Sequence, residues 1–312
     1  LANLQQRPYS EQNHCFSTLD MTAKKIKVII NPISGIGQQK IVPQLIKEQI
    51  NNDSIQVDIV YTKYAQHATE LAQQAVTESY YAVAIVGGDG SVNEVGKALV
   101  GSQTALAIIP TGSGNGLARH LKIPLELKSA IELLNQHRIR TIDTGLFNSH
   151  FFVGVCGIGF DGLIAKRFSE FGKRGFASYI RIILTQYFQF KRATYTVSSS
   201  NKSFQQKAFL VTMANSSQYG NRVTVAPSAK VDDGIFELCL LRRLPLYAMP
   251  LIAYRFFTKT IHLSKYMTII KGTEFEIESD YSMAHVDGEP VSCLGVTKIT
   301  IQPASLQVIV LE

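Results

Sequence analysis

Two rhythms of apolar and polar positions run along this 312-residue chain, and one replaces the other near residue 140. In the first half, short unbroken apolar runs are followed by longer stretches with apolar residues three and four apart. "KIKVII" predicts a strand; after the turn "NPISGIG", "QQKIVPQLIKEQI" predicts a helix with Pro43 near its first turn, where proline is tolerated. "IQVDIVYT" and "QHATELAQQAVTES" repeat the pair. "YAVAIV" leads into a glycine turn and then into Val92, Val95, Leu99 and Val100 at helical spacing, and "TALAIIP" leads into "TGSGNGLARHL". Repeated strand and helix units of this length predict a parallel sheet that receives ligands at its strand C-termini, where every one of these glycine-rich loops falls.

After residue 140 the segments "RTIDTGLF", "HFFVGVCG", "ATYTVSSS", "AFLVTMAN", "GIFELCLL", "TEFEIES", "VTKITIQ" and "LQVIVLE" are separated by Gly, Asn, Asp or Pro turns and predict a β-rich antiparallel, sandwich-like second domain. Two helical insertions interrupt it, residues 165–192 and "LPLYAMPLIAYRFFTKTIH". The expected organisation is a loose N-terminal arm over 1–20, an α/β domain over 21–140 and the β-rich domain over 141–312, whose last strand returns toward the first domain. The active site is expected in the cleft between the two.

Composition narrows the class. With 46% hydrophobic and 18% charged residues the chain is neither disordered nor fibrous, and no run of 18 apolar residues predicts a spanning helix. The first 20 residues are polar and lack the apolar core of a signal peptide; Met21 is the expected natural start and the cytoplasm the expected compartment. Cys15, Cys156, Cys239 and Cys293 form no C-x-x-C pair and are expected to be reduced. The net charge of +7 is concentrated in residues 165–192, where Lys166, Arg167, Lys173, Arg174, Arg181, Lys191 and Arg192 face only Glu170 and interleave with Phe168, Phe171, Phe176, Tyr179, Tyr187, Phe188 and Phe190. That pattern suits nucleic acid or an anionic membrane surface, or equally a solvated basic face over an aromatic core face.

The chemistry starts at "VAIVGGDGSVNEVGKALV", residues 83–100. A glycine turn between a buried strand and a helix N-terminus is an anion site. It is not a P-loop, having no terminal Gly-Lys-Ser/Thr, nor a dinucleotide fingerprint, because Asn93 replaces the third glycine. A carboxylate there repels phosphate unless a cation intervenes, so Asp89 predicts Mg²⁺ with a polyphosphate; the alternative is a structural turn in which Asp89 caps the helix. "PTGSGNGLA" at 110–118 supplies a further glycine loop on the next strand, and "HVDGEP" at 285–290 sets Glu289 on an Asp-Gly turn as a candidate general base. His67, His120 and His285 are expected to be structural or surface residues.

In order, N-P-x-S-G, G-G-D-G-S-x-N-E, P-x-G-S-G-N-x-L-A, "GIGFDG", "VDDGIFEL" and "DGE" resemble the diacylglycerol kinase catalytic-domain family, which also holds sphingosine and ceramide kinases, and the resemblance runs from about residue 25 to the C-terminus. G-G-D-G alone is shared with NAD kinases and their phosphofructokinase-like relatives. The resemblance implies an ATP-dependent lipid kinase acting on a primary hydroxyl of diacylglycerol or a sphingoid base. Asn31, Pro32, Ser34, Gly35 and Thr62 would line ATP; Gly87, Gly88, Asp89, Gly90, Ser91, Asn93 and Glu94 would hold its phosphates, with Asp89 on the nucleotide's Mg²⁺. Gly112, Ser113, Gly114 and Asn115 would contact the nucleotide from the third loop. A structural Mg²⁺ would sit on the Asp233 side chain and the Lys230 and Ile235 carbonyls, and Glu289 would accept the proton. "GSGNGLA" is nearer the sphingosine-kinase form than the G-T-x-N-D-F-A of many bacterial diacylglycerol kinases, which leaves the acceptor open. The implied partner is a lipid at an anionic membrane surface, not nucleic acid, with homodimerisation left open. The rival readings are a kinase of a soluble acceptor such as NAD and a nucleotide-responsive binding protein without turnover.

Overall fold

A computed structural model describes residues 23–34, 37–136, 138–170, 176–191, 193–199 and 202–311, the side chains of 176–179 excepted. The arm 1–20, Met21, Cys15 and Gly35 lie outside the described residues. Four parallel strands come first: β1 (Lys24–Ile30), β2 (Ile55–Tyr61), β3 (Ala82–Gly87) and β4 (Ala105–Pro110). Their order is β2-β1-β3-β4, with Ile26 opposite Val57 on one side and Ala82 on the other. The connections diverge between β1 and β3, which makes the C-terminal ends of those two strands a topological switch point, the usual crevice for a ligand in an α/β sheet. The crossovers contain α1 (Val42–Gln49), α2 (His67–Thr77) and α3 (Asp89–Leu99), and α4 (Gly116–His120) and α5 (Leu127–Glu132) follow β4. β3 and β4 are buried at every position, which is why they read as continuous apolar runs.

The second half contributes β5 (Ile139–Phe147), β6 (His150–Phe152), β7 (Val155–Gly159), β8 (Ala193–Ser199), β9 (Lys202–Ala208), β10 (Leu210–Ala214), β11 (Gln218–Gly220) and β12 (Val223–Thr224). It continues with β13 (Phe236–Leu241), β14 (Met267–Gly272), β15 (Glu274–Glu278), β16 (Met283–Val286), β17 (Glu289–Ser292) and β18 (Val296–Ile309). Six of these strands form an antiparallel sheet of order β14-β13-β10-β7-β16-β17, the β-rich layer expected from the sequence. β18, β15, β8 and β9, with β5 and β6 beside β18, extend the first sheet, so that sheet is mixed, not purely parallel, and β11 and β12 pair as a separate two-stranded sheet. Val308 of β18 lies parallel to Leu106 of β4, and the same strand runs antiparallel to β5 and β15. Between the two sheets Phe147, Phe152, Tyr195, Phe236 and Phe275 are completely buried, each side chain contributing roughly 1.5–3 kcal/mol.

Three boundaries depart from the sequence pattern. "HFFVGVCG" is two strands in different sheets, because the backbone breaks at Val153–Gly154, where the N–H groups of Val153, Gly154 and Val155 all donate to Asp287. "VTKITIQ" and "LQVIVLE" are one strand, kept continuous across Pro303 by a bulge whose Ala304 (φ 46°) donates its N–H to the buried Asp143. β9, β11, β12, β14, β16 and β17 lie outside the expected strands; β9 and β17 are short on apolar alternation because they face solvent at one or both faces. The 165–192 insertion forms α6 (Phe160–Glu170) and α7 (Phe176–Gln189), with Phe160, Tyr187, Phe190 and Phe209 packed together. The second insertion contains α8 (Met249–Phe257). Cys156, Cys239 and Cys293 are buried free thiols, and among the described residues no helix is long and apolar enough to cross a membrane.

Candidate functional site

Three loops meet at the switch point because their side chains and backbones interlock. Asn31, after β1, donates from Nδ2 to Ser91 Oγ at 3.0 Å and accepts the Ile33 N–H on Oδ1, so one amide fixes both its own turn and the start of α3. Ser34 and Thr111 share a buried hydroxyl contact of 3.1 Å, tying the first loop to the third, while Pro32 is held through its carbonyl by Gln39. Thr62 closes β2 beside β1, its N–H on the Ile30 carbonyl.

The second and third loops approach backbone to backbone. A Cβ on Gly112 would lie 2.5 Å from Gly88 Cα, so Gly112 must be glycine for this spacing, and one on Gly88 would lie a tight 3.1 Å from Gly112 Cα. Gly87 ends β3, and its carbonyl accepts the Thr111 N–H. Gly88 caps α3 without a side-chain bond, which leaves N-terminal backbone donors of an 11-residue helix for a ligand. Ser113 is exposed at the loop tip, and Asn115 (φ 53°) donates to the Gly112 carbonyl. Glu94 lies one turn further along α3, its carbonyl accepting Thr69 Oγ1.

Asp89 holds this pair of loops together. Its Oδ1 accepts the Gly116 N–H at 2.7 Å and its Oδ2 the Asn115 N–H at 2.9 Å. It therefore caps the neighbouring helix α4. Burial pushes its carboxyl up to about 6, helped by the negative Asp287 nearby and opposed by these two hydrogen bonds. Each oxygen keeps a second lone pair, so the clamp does not exhaust the carboxylate as a cation ligand.

The opposite wall comes from the β-rich sheet. Asp287 (φ 48°) and Gly288 (φ 88°) form the two-residue turn between β16 and β17, with both φ values positive as a type I′ hairpin needs. Asp287 receives four hydrogen bonds: Val153 N–H and Asn93 Nδ2 on Oδ2, Gly154 and Val155 N–H on Oδ1. Burial raises its carboxyl against the pull of those donors. The Asn93 bond, at 2.8 Å, ties the hairpin to α3 across the cleft. Glu289 follows the turn, exposed, with Oε1 2.8 Å from where a Cβ on Gly90 would stand. Two segments nearly 200 positions apart thus bring a carboxylate over the glycine loop.

Lys230, Asp233 and Ile235 lie elsewhere, on the exposed turn before β13. Asp233 Oδ1 accepts the Ile235 N–H, and the turn is held to β5 by Gly234 N–H on Asp143 and Asp143 N–H on the Val231 carbonyl. The implied donors, one carboxylate and backbone carbonyls, are all hard oxygen, which fits Mg²⁺ retaining several waters. Among the described residues no group of three or more His, Cys, Asp or Glu side chains is arranged to hold a metal.

Some of the site's supporting residues carry no sequence periodicity. Asp161, from "GIGFDG", is buried with Oδ2 accepting Thr212 Oγ1 at 2.7 Å and Tyr219 OH at 2.8 Å, and lies 3.1 Å from His285 Nε2. Its carboxyl is lowered, His285 and the two hydroxyls outweighing burial. His285 is buried and accepts the Gly288 N–H on Nδ1, which braces the hairpin turn. Asn215 bridges the Asp143 and Val153 carbonyls, and Arg119 Nε donates to the Gly114 carbonyl with Arg222 as its neighbour. The signal available for Asp161 was an acid inside an apolar, glycine-flanked strand end. His120 and His67 each accept a backbone N–H, from Ser217 and Lys63.

Residues 25–147 match the family model described as "Diacylglycerol kinase catalytic domain", and residues 154–310 match "YegS C-terminal NAD kinase beta sandwich-like domain". Over 178 residues the chain is 31% identical to a "Probable lipid kinase YegS-like" of Pseudomonas aeruginosa, covering 56% of this chain and 59% of that protein. Over 236 residues it is 29% identical to a "Diacylglycerol kinase" of Bacillus subtilis, covering 70% and 74%. The chain spans about three fifths of the length of the Pseudomonas relatives it matches, 59% in the one just given. In fold it resembles the crystal structure of a diacylglycerol kinase from Bacillus anthracis, with a TM-score of 0.73, 19% identity, and coverage of 92% of this chain and 97% of that one.

Proposed function

The chain belongs to the lipid-kinase family that joins a diacylglycerol kinase catalytic domain to a YegS-type β-sandwich, and from that premise we propose that it transfers the γ-phosphate of ATP to a primary hydroxyl of a lipid, diacylglycerol or a sphingoid base. The observation that carries the reading is Glu289 standing over Gly90: a carboxylate from one layer faces the phosphate loop of the other. Phosphoryl transfer asks a protein mainly to position reactants and to neutralise charge, with one base near the acceptor hydroxyl.

In this reading Asn31, Pro32, Ser34, Gly35 and Thr62 line the nucleotide, the loop from Gly87 to Glu94 receives its phosphates, and Gly112, Ser113, Gly114 and Asn115 contact the nucleotide from the third loop. The mutual repulsion of Asp89 and Asp287 favours a Mg²⁺-bound polyphosphate over a bare one. Asp89 would hold the nucleotide's Mg²⁺, which when bound would supply charge neutralisation at the transferring group. Asp89 also fixes the distance between the two glycine loops, and Asn93 fixes the hairpin that carries Glu289. Glu289 accepts the proton of the lipid hydroxyl. A structural Mg²⁺ on Asp233 and the Lys230 and Ile235 carbonyls would stiffen the turn that Asp143 anchors. The lipid-kinase and diacylglycerol kinase names of the relatives support the acceptor class, and the enzyme works at an anionic membrane surface as a peripheral, cytoplasmic protein.

The test is incubation of the purified chain with labelled ATP and Mg²⁺ against a lipid panel in mixed micelles, with NAD in a parallel reaction. Labelled lipid is expected. Labelled NADP with no labelled lipid would instead favour the soluble acceptor, and nucleotide binding without any product would favour a non-catalytic protein.

A further inference from the structure

The stretch from residue 238 to residue 273 contains no aspartate or glutamate but holds Arg242, Arg243, Arg255, Lys259, Lys265 and Lys271. Lys271 pairs with Glu237, and the rest surround an unusual helix. α8 buries Ile252, with Ala248 just before its start, against the outer face of the six-stranded sheet, yet its solvent side is also apolar. Tyr247, Leu251 and Tyr254 are 82%, 54% and 63% exposed at a spacing of four and three, and Leu246 and Leu263 beside them are exposed as well. A groove of about 230 Å³ opens between α8 and the following segment, with Leu251, Ile252 and Leu263 in its lining and Arg255 and Lys265 among the same walls. Tyr187 of α7 donates its hydroxyl to the Leu244 carbonyl and carries Arg243 over its ring, so this face is continuous with the basic-aromatic insertion.

We propose that the α8 face, Leu246 to Lys265, is the element that docks this protein on an anionic lipid bilayer, with Tyr247, Leu251 and Tyr254 entering the headgroup region and Arg255, Lys259 and Lys265 meeting lipid phosphates. Exposed apolar side chains ringed by cations match a surface that is apolar inside and negative outside. Tyrosine is suited to that boundary, having an apolar body and a polar tip. A second copy of the chain does not fit, because a two-fold contact through this face would set the same cations against one another. The inference relies on the lipid-kinase reading for its purpose but not for its test.

The full chain is sedimented, without ATP, with vesicles of phosphatidylcholine alone and of phosphatidylcholine mixed with phosphatidylglycerol. Binding to the mixed vesicles that weakens with salt is expected. Arg255→Gln and Lys265→Gln should each lower it about fivefold, Tyr247→Ser with Leu251→Ser should lower it further, and Lys128→Gln on α5 should not change it. All these positions are at or near the surface, and melting temperature confirms folding. Equal binding by the α8 variants and the parent overturns the proposal, as does a solution dimer that Tyr247→Ser with Leu251→Ser dissociates. Phosphorylation of a dispersed short-chain acceptor should be unchanged in every variant; its absence in the parent chain would count against the kinase reading while leaving the vesicle result intact.

Discussion

Glu289 owes its position to the residue two before it. Asp287 accepts three consecutive backbone N–H groups and one amide, and that fixes the turn from which Glu289 emerges. Glu289→Gln keeps size and hydrogen bonding but removes basicity, so kcat should fall by ~10²-fold or more with ATP affinity nearly unchanged by calorimetry. A kcat within a few fold of the parent would reduce Glu289 to a turn residue. His120 offers a second residue-scale prediction, this time on stability. Burial, with Arg140 nearby, pushes its imidazole down to about 4, and its Nδ1 accepts the Ser217 N–H, which only a neutral ring can do. The unfolded chain therefore binds the proton more readily, and stability present above about pH 6.5 is lost progressively toward pH 4, by up to about 3 kcal/mol. Urea midpoints measured across that range should drop, and in His120→Gln the drop should be smaller.

At the scale of elements, the determining feature is how closely the G-G-D-G and G-S-G-N-G loops approach. Gly112→Ala sets a methyl 2.5 Å from Gly88 Cα and 2.8 Å from Asn115 Oδ1, and the Gly88 backbone cannot give way without moving its loop. Splaying the loops should cost about 1–3 kcal/mol of stability and weaken ATP binding more than tenfold, read by thermal melting and calorimetry. Asp89→Asn tests the same junction from the other side. The amide can accept only on one oxygen, so one of the two α4 N–H bonds is lost and so is the charge for Mg²⁺. Turnover should fall sharply while the protein stays folded, and unchanged turnover at an unchanged melting temperature would remove Asp89 from the mechanism. The strand boundaries follow the same logic of local contact: Pro303 would end a strand by sequence rules, but the Ala304 N–H finds Asp143 and the strand goes on.

For the whole molecule, β18 is the strand that couples the two halves. It pairs with β4 of the first half and with β5 and β15 of the second, and Leu306 and Val308 belong to the core of the first half. A single cooperative denaturant transition is expected, superimposable by far-UV circular dichroism and tyrosine fluorescence; two separated transitions would mean the halves fold independently. By itself the sequence determined what is local: β1 to β4 and their helices, from buried runs and helical spacing, the turn at Asp287 and Gly288, and the ordered motifs that carry the family resemblance. The tertiary structure alone decided what depends on distant partners. Asp89 binds the N-terminus of the next helix, Glu289 lies over Gly90, Asp161 and His285 brace the hairpin, and α8 presents apolar side chains to solvent. Periodicity reports which face of an element is apolar, but not whether that face is covered, because coverage is set by segments a hundred or more residues away, and the sequence alone carries no record of their distance.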